Sequence, residues 1–354
     1  MYGTRAPYTC TMPLNLHATF TVDAAVELAV IERSGFVESR HIGSAVVMAA
    51  DGTVVTELGD ITTPILARST LKPLQALASM QSGVPLRGAQ VAIACGSHVA
   101  SLDHMDVVEG MLKAAGVTEE QLQCPPDWPQ DETARNWLVR SGRGKSKLAF
   151  NCSGKHAAFL WACTENGWDT RSYLEPNHPL QQRIRSVIEE YCGEGIAHLG
   201  IDGCGAPVAA VSLTGLARAY SKLAKAPGDK NSNARAATVA TSMLDYPWAV
   251  QGRGESNTIV MDELGILAKV GAEGVLVMAT RQGASVAVKV LDGNVRATTL
   301  VGLTMLAAAG AVEVPEVSSV LEKVVDSVLG GGRPVGKIRL GRAVSALLDQ
   351  TLAK

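Results

Sequence analysis

Two short stretches, "RSTLKPLQA" at 68–76 and "LAKVGAEG" at 267–274, carry a hydroxyl and amines at spacings suited to acyl transfer. A serine hydroxyl is a poor nucleophile at neutral pH and needs a base within hydrogen-bond reach. Ser69 and Lys72 lie three residues apart, so a helix beginning at Ser69 puts both on one face. Lys72 can accept the proton only when neutral, a state that burial or a nearby cation such as Arg68 favours. Pro73 suits the first turn of such a helix. Taken alone, the pattern reads more readily as a helix cap followed by a solvated lysine. Lys269-Val-Gly271 reads as the start of a strand pairing with 285–291. It would place an ammonium at a sheet edge, with a glycine clearing room for a substrate. An edge lysine that guards against aggregation is the plainer explanation.

Two further clusters have chemical potential. "FNCSGKHAAFLWAC" (150–163) and "LGIDGCGAPV" (199–208) offer Cys152, Lys155, His156, Asp202 and Cys204. Cys152 and His156 would share a helix face, and Cys204 sits among glycines. Two thiolates with a nitrogen donor suit Zn²⁺. Cys152 and Cys204 are equally readable as small buried hydrophobes. On spacing alone, His156 is the expected nitrogen ligand. In "ACGSHVA" (94–100) an apolar, strand-like run ends at Ser97-His98. Ser97 could be a second hydroxyl of the site, or it could pair with His98 as base.

The elements that must position these groups follow from periodicity. "VELAVIERSGFVESRHIGSAVVMAADGTVVTEL" alternates apolar and polar residues, and "ADGT" at 50–53 is a hairpin turn. The middle, roughly 69–245, is mostly helical in spacing. Residues 265–297 return to strand–turn–strand, and "RATTLVGLTMLAAAGAV" reads as a closing helix. The expectation is an α+β fold, with one antiparallel sheet built from both chain ends, covered by helices and interrupted by a helical subdomain. The domain is expected over 23–354, its helical insertion over roughly 100–245, behind a loose tail at 1–22.

Composition narrows the function. Of 354 residues, 47% are hydrophobic and 19% charged, and the net charge is −2. No strong field favours nucleic acid or an anionic membrane. The 4% aromatic content argues against a base-stacking surface. No apolar run reaches the ~18 residues of a membrane span. The opening residues lack the basic-then-apolar pattern of a secretory leader, so a cytoplasmic location is expected. Seven cysteines, an odd number, point to thiols rather than a disulfide framework.

Ser-x-x-Lys followed, beyond a helical region, by Lys-x-Gly resembles the penicillin-recognising serine enzymes. The resemblance sharpens over "VIERSGFVESRHIG", "RSTLKPLQA", "NCSGKHAA", "DGCGAPV", "SLTGLARA" and "KVGAEGV". Together these resemble the Rhizobium etli-type asparaginase II family, from about residue 26 to 310. The resemblance implies a β-lactamase-like fold, a homodimer, and hydrolysis of L-asparagine to aspartate and ammonia. It implies two Ser–Lys tandems, Ser69 with Lys72 and Ser97 with Lys269, Lys289 being the second choice for the last. It puts an accessory zinc on Cys152, Lys155 and Cys204, with Arg68, His156 and Asp202 lining the substrate pocket or shaping the metal's surroundings. Two stretches depart from the family pattern. "SHVAS" at 97–101 lacks a carboxylate that relatives carry, and "QGRGESNT" at 251–258 exchanges the characters of Arg253 and Glu255. Competing expectations are a β-lactamase-type hydrolase, a non-catalytic amino-acid- or metal-binding protein, and a zinc-thiolate protein.

Overall fold

The computed structural model describes residues 17–352. Its strands are β1 (Val26–Arg33), β2 (Phe36–Met48), β3 (Val54–Leu58), β4 (Ile65–Leu66), β5 (His198–Ile201), β6 (Pro207–Val211), β7 (Leu267–Gly271), β8 (Val275–Ala279), β9 (Ser285–Val290), β10 (Ser327–Gly330) and β11 (Arg333–Leu340). The helices that matter here are α1 (Lys72–Gln81), α2 (Ala89–Ala94), α3 (Leu102–Ala114), α4 (Ser153–Asn166), α5 (Leu213–Lys225), α6 (Ser256–Leu264), α7 (Thr298–Ala308) and α8 (Arg342–Leu352).

The main sheet is antiparallel, in the order β10-β11-β1-β2-β9-β8-β7, with β3 also paired to β2. It is built from both chain ends, as the periodicity predicts, and the helical region runs between them. Every residue of β8 and β9 is buried. Strands covered on both faces read as continuous apolar runs rather than alternating ones. Helices α5 and α7 both pack on β9. Apolar side chains of sheet and helices then merge into one large continuous core. The expected α+β layout is the one observed: a terminal sheet, a Ser-x-x-Lys turn against its edge strand, and a helical region between the sheet's two halves.

Several details differ from expectation. Strand β7 pairs with β8, and β8 rather than β7 pairs with β9. Glu273 and Gly274, both at positive φ, turn the chain tightly enough to make a β7–β8 hairpin. The closing helix α7 is followed by a β10–β11 hairpin that joins the sheet beside β1. Residues 89–94 form the helix α2, not a strand. A short buried apolar run carries no usable period, so length and packing decide it. Of the tail expected at 1–22, residues 1–16 lie outside the described part, while Phe20 is buried in the core. A small second sheet, β4-β6-β5, runs beside the site.

Candidate active site

Ser69 sits in a single 3₁₀ turn, Arg68–Leu71, that runs straight into α1. In a 3₁₀ turn, side chains three apart eclipse, which aligns Ser69 with Lys72 more closely than an α-turn would. Pro73 sits in the first turn of α1, where its missing N–H leaves no intrahelical bond unmade. Residues 72–80 of α1 are all buried, so the helix threads the core and takes Lys72 with it. Arg68 adopts φ +53°, a conformation bulky L-residues rarely hold. Among the described non-glycine residues, the positive φ values fall at Ser34, Arg68, Ala100 and Glu273. Three of these four flank the site, where strain is held by surrounding structure.

The edge strand β7 packs against this turn. A Cβ at Gly271 would lie 3.1 Å from the Thr70 side chain and 3.4 Å from the Ser69 nitrogen. Glycine therefore lets the strand approach the turn, where the Lys-x-Gly pattern had suggested room for a substrate. Lys269 and Lys72 are 0% and 1% exposed. Their amines meet at one hydroxyl: Lys72 Nζ donates to Ser97 Oγ at 2.9 Å, and Lys269 Nζ lies 3.0 Å from the same oxygen. Lys72 also donates to the carbonyls of Gly96 and, at 3.4 Å, Asn151. Three acceptors around three donors suit a charged ammonium. Lys269 has Ser97 Oγ and the Val270 carbonyl, the latter at 2.6 Å. Burial, then the charge of Lys72, pushes the Lys269 pKa well below the ordinary lysine value. A neutral Lys269 can accept the Ser97 proton.

Ser69 Oγ makes no hydrogen bond among the described residues, so its alignment with Lys72 is one of position, not of a bond. His98 is not the base of a Ser97 pair. Its Nε2 meets Ser153 Oγ at 2.9 Å, and its ring stacks on His104 with centroids 5.0 Å apart. Burial first, then His104 and Lys72, push its pKa well below the ordinary histidine value. Lys289 is likewise elsewhere, donating to the Glu273 carbonyl.

Behind the clasp, α4 brings Cys152, Lys155 and His156 to the Gly-rich loop that holds Cys204. A Cβ at Gly154 would fall 2.6 Å from the Ile93 carbonyl, so glycine permits α4 to press onto α2. Lys155 Nζ lies 3.0 Å from Cys204 Sγ. The Cys204 thiol beside Cys152, together with Lys72 and Lys155, draws the Cys152 pKa well down, and Cys204 moves up in return. Two close thiols share one proton; neither value belongs to one residue alone. Burial opposes charge on Lys155, but the two thiols outweigh it and raise its pKa. His156 Nδ1 meets Tyr173 Oη at 2.8 Å, while its Nε2 is buried with no hydrogen-bond partner. Tyr173 carried no sequence signal, since a lone tyrosine marks nothing until the fold delivers it. No group of three His, Cys, Asp or Glu residues is arranged as a metal site among the described residues. Counting the amine of Lys155 and the orphaned imidazole nitrogen, the donor set still fits a thiophilic ion.

Arg68 joins this nest to the turn. Its Nη2 and Nε lie 2.7 and 2.9 Å from Asp202 Oδ1, and Glu273 stands 3.9 Å from Nη1. Burial would raise the Asp202 pKa, but Lys155 and Arg68 prevail and lower it. The ten residues to which the resemblance assigns roles thus fall in one connected region, while His98 and Lys289 make their bonds elsewhere.

The family profile of L-asparaginase II matches residues 29–340, nearly the whole chain. The chain belongs to the L-asparaginase II family. No curated protein sequence matches it. Among solved structures, a Bacillus glutaminase is similar at 12% identity and TM-score 0.42, covering 77% of this chain and 92% of that one. The Mglu native structure is similar at 14% identity and TM-score 0.42, covering 75% of this chain. This chain spans only 63% of Mglu's length. A β-lactamase from Mycobacterium bovis is similar at 12% identity and TM-score 0.39, covering 75% and 94%. Among the described residues no helix is long and apolar enough to cross a membrane.

Proposed function

We propose that this family member hydrolyses L-asparagine to L-aspartate and ammonia through a Ser–Lys acyl-enzyme. The observation that carries the reading is Ser97 Oγ held between two buried amines, at 2.9 and 3.0 Å. An isolated structural serine has no need of two enclosed lysines, each costly to bury. Ser69, at the mouth of the α1 turn, attacks the side-chain amide carbon. Its proton passes to the eclipsed Lys72 as the Lys72–Ser97–Lys269 chain shifts one proton toward Lys269. The same chain returns a proton to the departing ammonia. The backbone N–H of Ser69, at a helix start, stabilises the oxyanion; losing such a donor typically costs about 3 kcal/mol. Water then releases the acyl group by the reverse transfer. Arg68 and Asp202, already ion-paired, offer a cation and an anion to the substrate's carboxylate and ammonium, whereas the expected wall residue His156 is fully buried against Tyr173 and stands on the side of the two cysteines.

Zinc belongs to this reading as an accessory. Cys152, Lys155 and Cys204 would hold it, with the orphaned His156 Nε2 as a further donor. When bound, it would supply Lewis acidity and fix the thiolate pair. A homodimer and a cytoplasmic location complete the reading; light scattering tests the first.

The test is ammonia release from L-asparagine and L-glutamine by the wild type beside Ser69→Ala and Ser97→Ala. Loss in both variants supports the reading, while full activity in Ser69→Ala removes that residue as nucleophile. Calorimetric binding of asparagine without ammonia release would instead mark an impaired homologue, and nitrocefin turnover a β-lactamase-type hydrolase. Metal analysis of the purified protein, then activity after chelation, tests the zinc.

A further inference from the structure

The Ser97–Lys269 contact joins segments 172 residues apart, and hydrogen-bond reach leaves little tolerance. Something must hold the two segments in register. The strand β7 is an edge, so its outward N–H groups have no strand partner. One of them, the N–H of Val270, donates to Asn257 Oδ1 at 3.1 Å. Asn257 is 2% exposed and lies at the start of α6. Its own N–H, one of the unpaired donors of a helix start, donates to Gln251 Oε1 at 2.9 Å. Gln251 in turn accepts the Val99 N–H on its carbonyl at 2.8 Å, and Val250 accepts the Ser97 N–H at 2.8 Å. A Cβ on Gly252 would strike the Val99 side chain at 2.6 Å, so the two loops are in firm contact. The circuit closes: from Ser97 through 250–251, across Gln251 and Asn257, to the peptide next to Lys269, and back to Ser97 Oγ.

We infer that Asn257 is a positioning residue, bracing the β7 edge against the Ser97 loop so that Lys269 meets the Ser97 hydroxyl. The inference rests on the Ser–Lys amidohydrolase reading. It goes beyond that reading by assigning a role to a residue that touches neither the substrate nor the reacting atoms. The carboxamide oxygen is the working atom, because it is the acceptor of the Val270 N–H. A leucine fills the same space without an acceptor, and an aspartate restores one.

Asn257→Leu is expected to lower kcat for ammonia release from L-asparagine about 100-fold with KM nearly unchanged, the scale of a ~1 Å misplacement. Asn257→Asp should recover most of that loss. Amide exchange at Val270 should accelerate in Asn257→Leu and return to the wild-type rate in Asn257→Asp. A purely structural role would lower the melting temperature without this kcat-selective, aspartate-rescued loss. Should Asn257→Leu fail to fold, Gln251→Met removes the next link and is expected to cost about tenfold in kcat, on the same scale of lost orientation. Unchanged kcat in whichever variant folds, or a loss that aspartate does not reverse, overturns the brace. A wild type that releases no ammonia from asparagine or glutamine defeats the amidohydrolase reading instead. Val270 exchange then judges the brace by itself, and an unchanged rate in Asn257→Leu overturns it.

Discussion

Lys269 and Lys155 are both enclosed, at 0% and 2% exposure, yet their surroundings drive them in opposite directions. Lys269 faces a hydroxyl and a second amine; burial and the like charge of Lys72 press it toward neutrality. Lys155 faces two thiols, whose negative charge outweighs its burial and holds the proton on. Burial by itself therefore does not set the protonation state of a lysine; the sign of the neighbouring charge does. In the proposed mechanism Lys269 would be the proton acceptor, and Lys155 a counter-charge or, in the zinc reading, a ligand.

The comparison can be broken most sharply at the clasp. Lys269→Met should lower ammonia release by at least ~10³-fold, the scale seen when one member of a cooperating catalytic unit is removed. Steady-state assays check this, and near-normal turnover would end the role of the clasp. The same substitution should raise thermal stability at neutral pH by about 1–3 kcal/mol, because a buried amine without a counter-charge gives way to an apolar side chain.

The pH dependence has a definite sign. Lys269 is lowered in the folded state, so the unfolded chain binds the extra proton. Stability should then rise with pH between the depressed folded value and the ordinary lysine value of 10.5, and the Lys269→Met variant should lose that slope. Melting temperatures measured from pH 7 to 10 decide it; parallel curves would contradict a neutral Lys269.

Lys155→Met should move stability the other way. It strands the thiolate pair, and the metal-free protein should lose about 3 kcal/mol, as when one partner of a buried pair is deleted. Lys155 has a raised value, so its contribution is complete below the ordinary 10.5 and declines only above it. Urea unfolding with Cys152→Ala as the second arm of a double-mutant cycle isolates the coupling. Additive effects would deny it. The mildest expectation is for Lys289→Met, whose amine bonds the Glu273 carbonyl away from Ser97. Its kcat should stay within about twofold, since changes away from such couplings cost little.

How legible all this was in the chain depended on the kind of signal. Ser69-x-x-Lys72 and Lys269-x-Gly271 are local patterns that each have a plainer explanation alone and gain meaning only together, while Lys155 was pointed to by the family resemblance, spacing alone having favoured His156. The sheet built from both termini was readable because alternation has a period of two. The β10–β11 hairpin escaped notice because "GGRPVGKIRLG" mixes glycine, proline and charge with little alternation. The helix α2 resembled a strand because its six residues, five of them apolar, are too few to carry a period. Asn257 gave no signal: a lone asparagine beside serine and threonine reads as a helix start, and that is also what it is. Its second bond, to Val270, depends on a strand that follows it in the chain and folds back against it.

The order of residues alone determined which chemistry was possible: two serines, lysines that could be made neutral, and two cysteines near an amine. It determined, through periodicity, that strands from both ends would enclose a helical middle. Only the tertiary structure decided which amine meets which hydroxyl, choosing Lys269 over Lys289 and Ser97 over His98. It also decided which buried lysine keeps its charge. Sequence specifies a side chain's chemistry and its neighbours within a turn or two. Distances of about 3 Å between residues far apart in the chain, and the local charge that sets a proton's preference, exist only after packing.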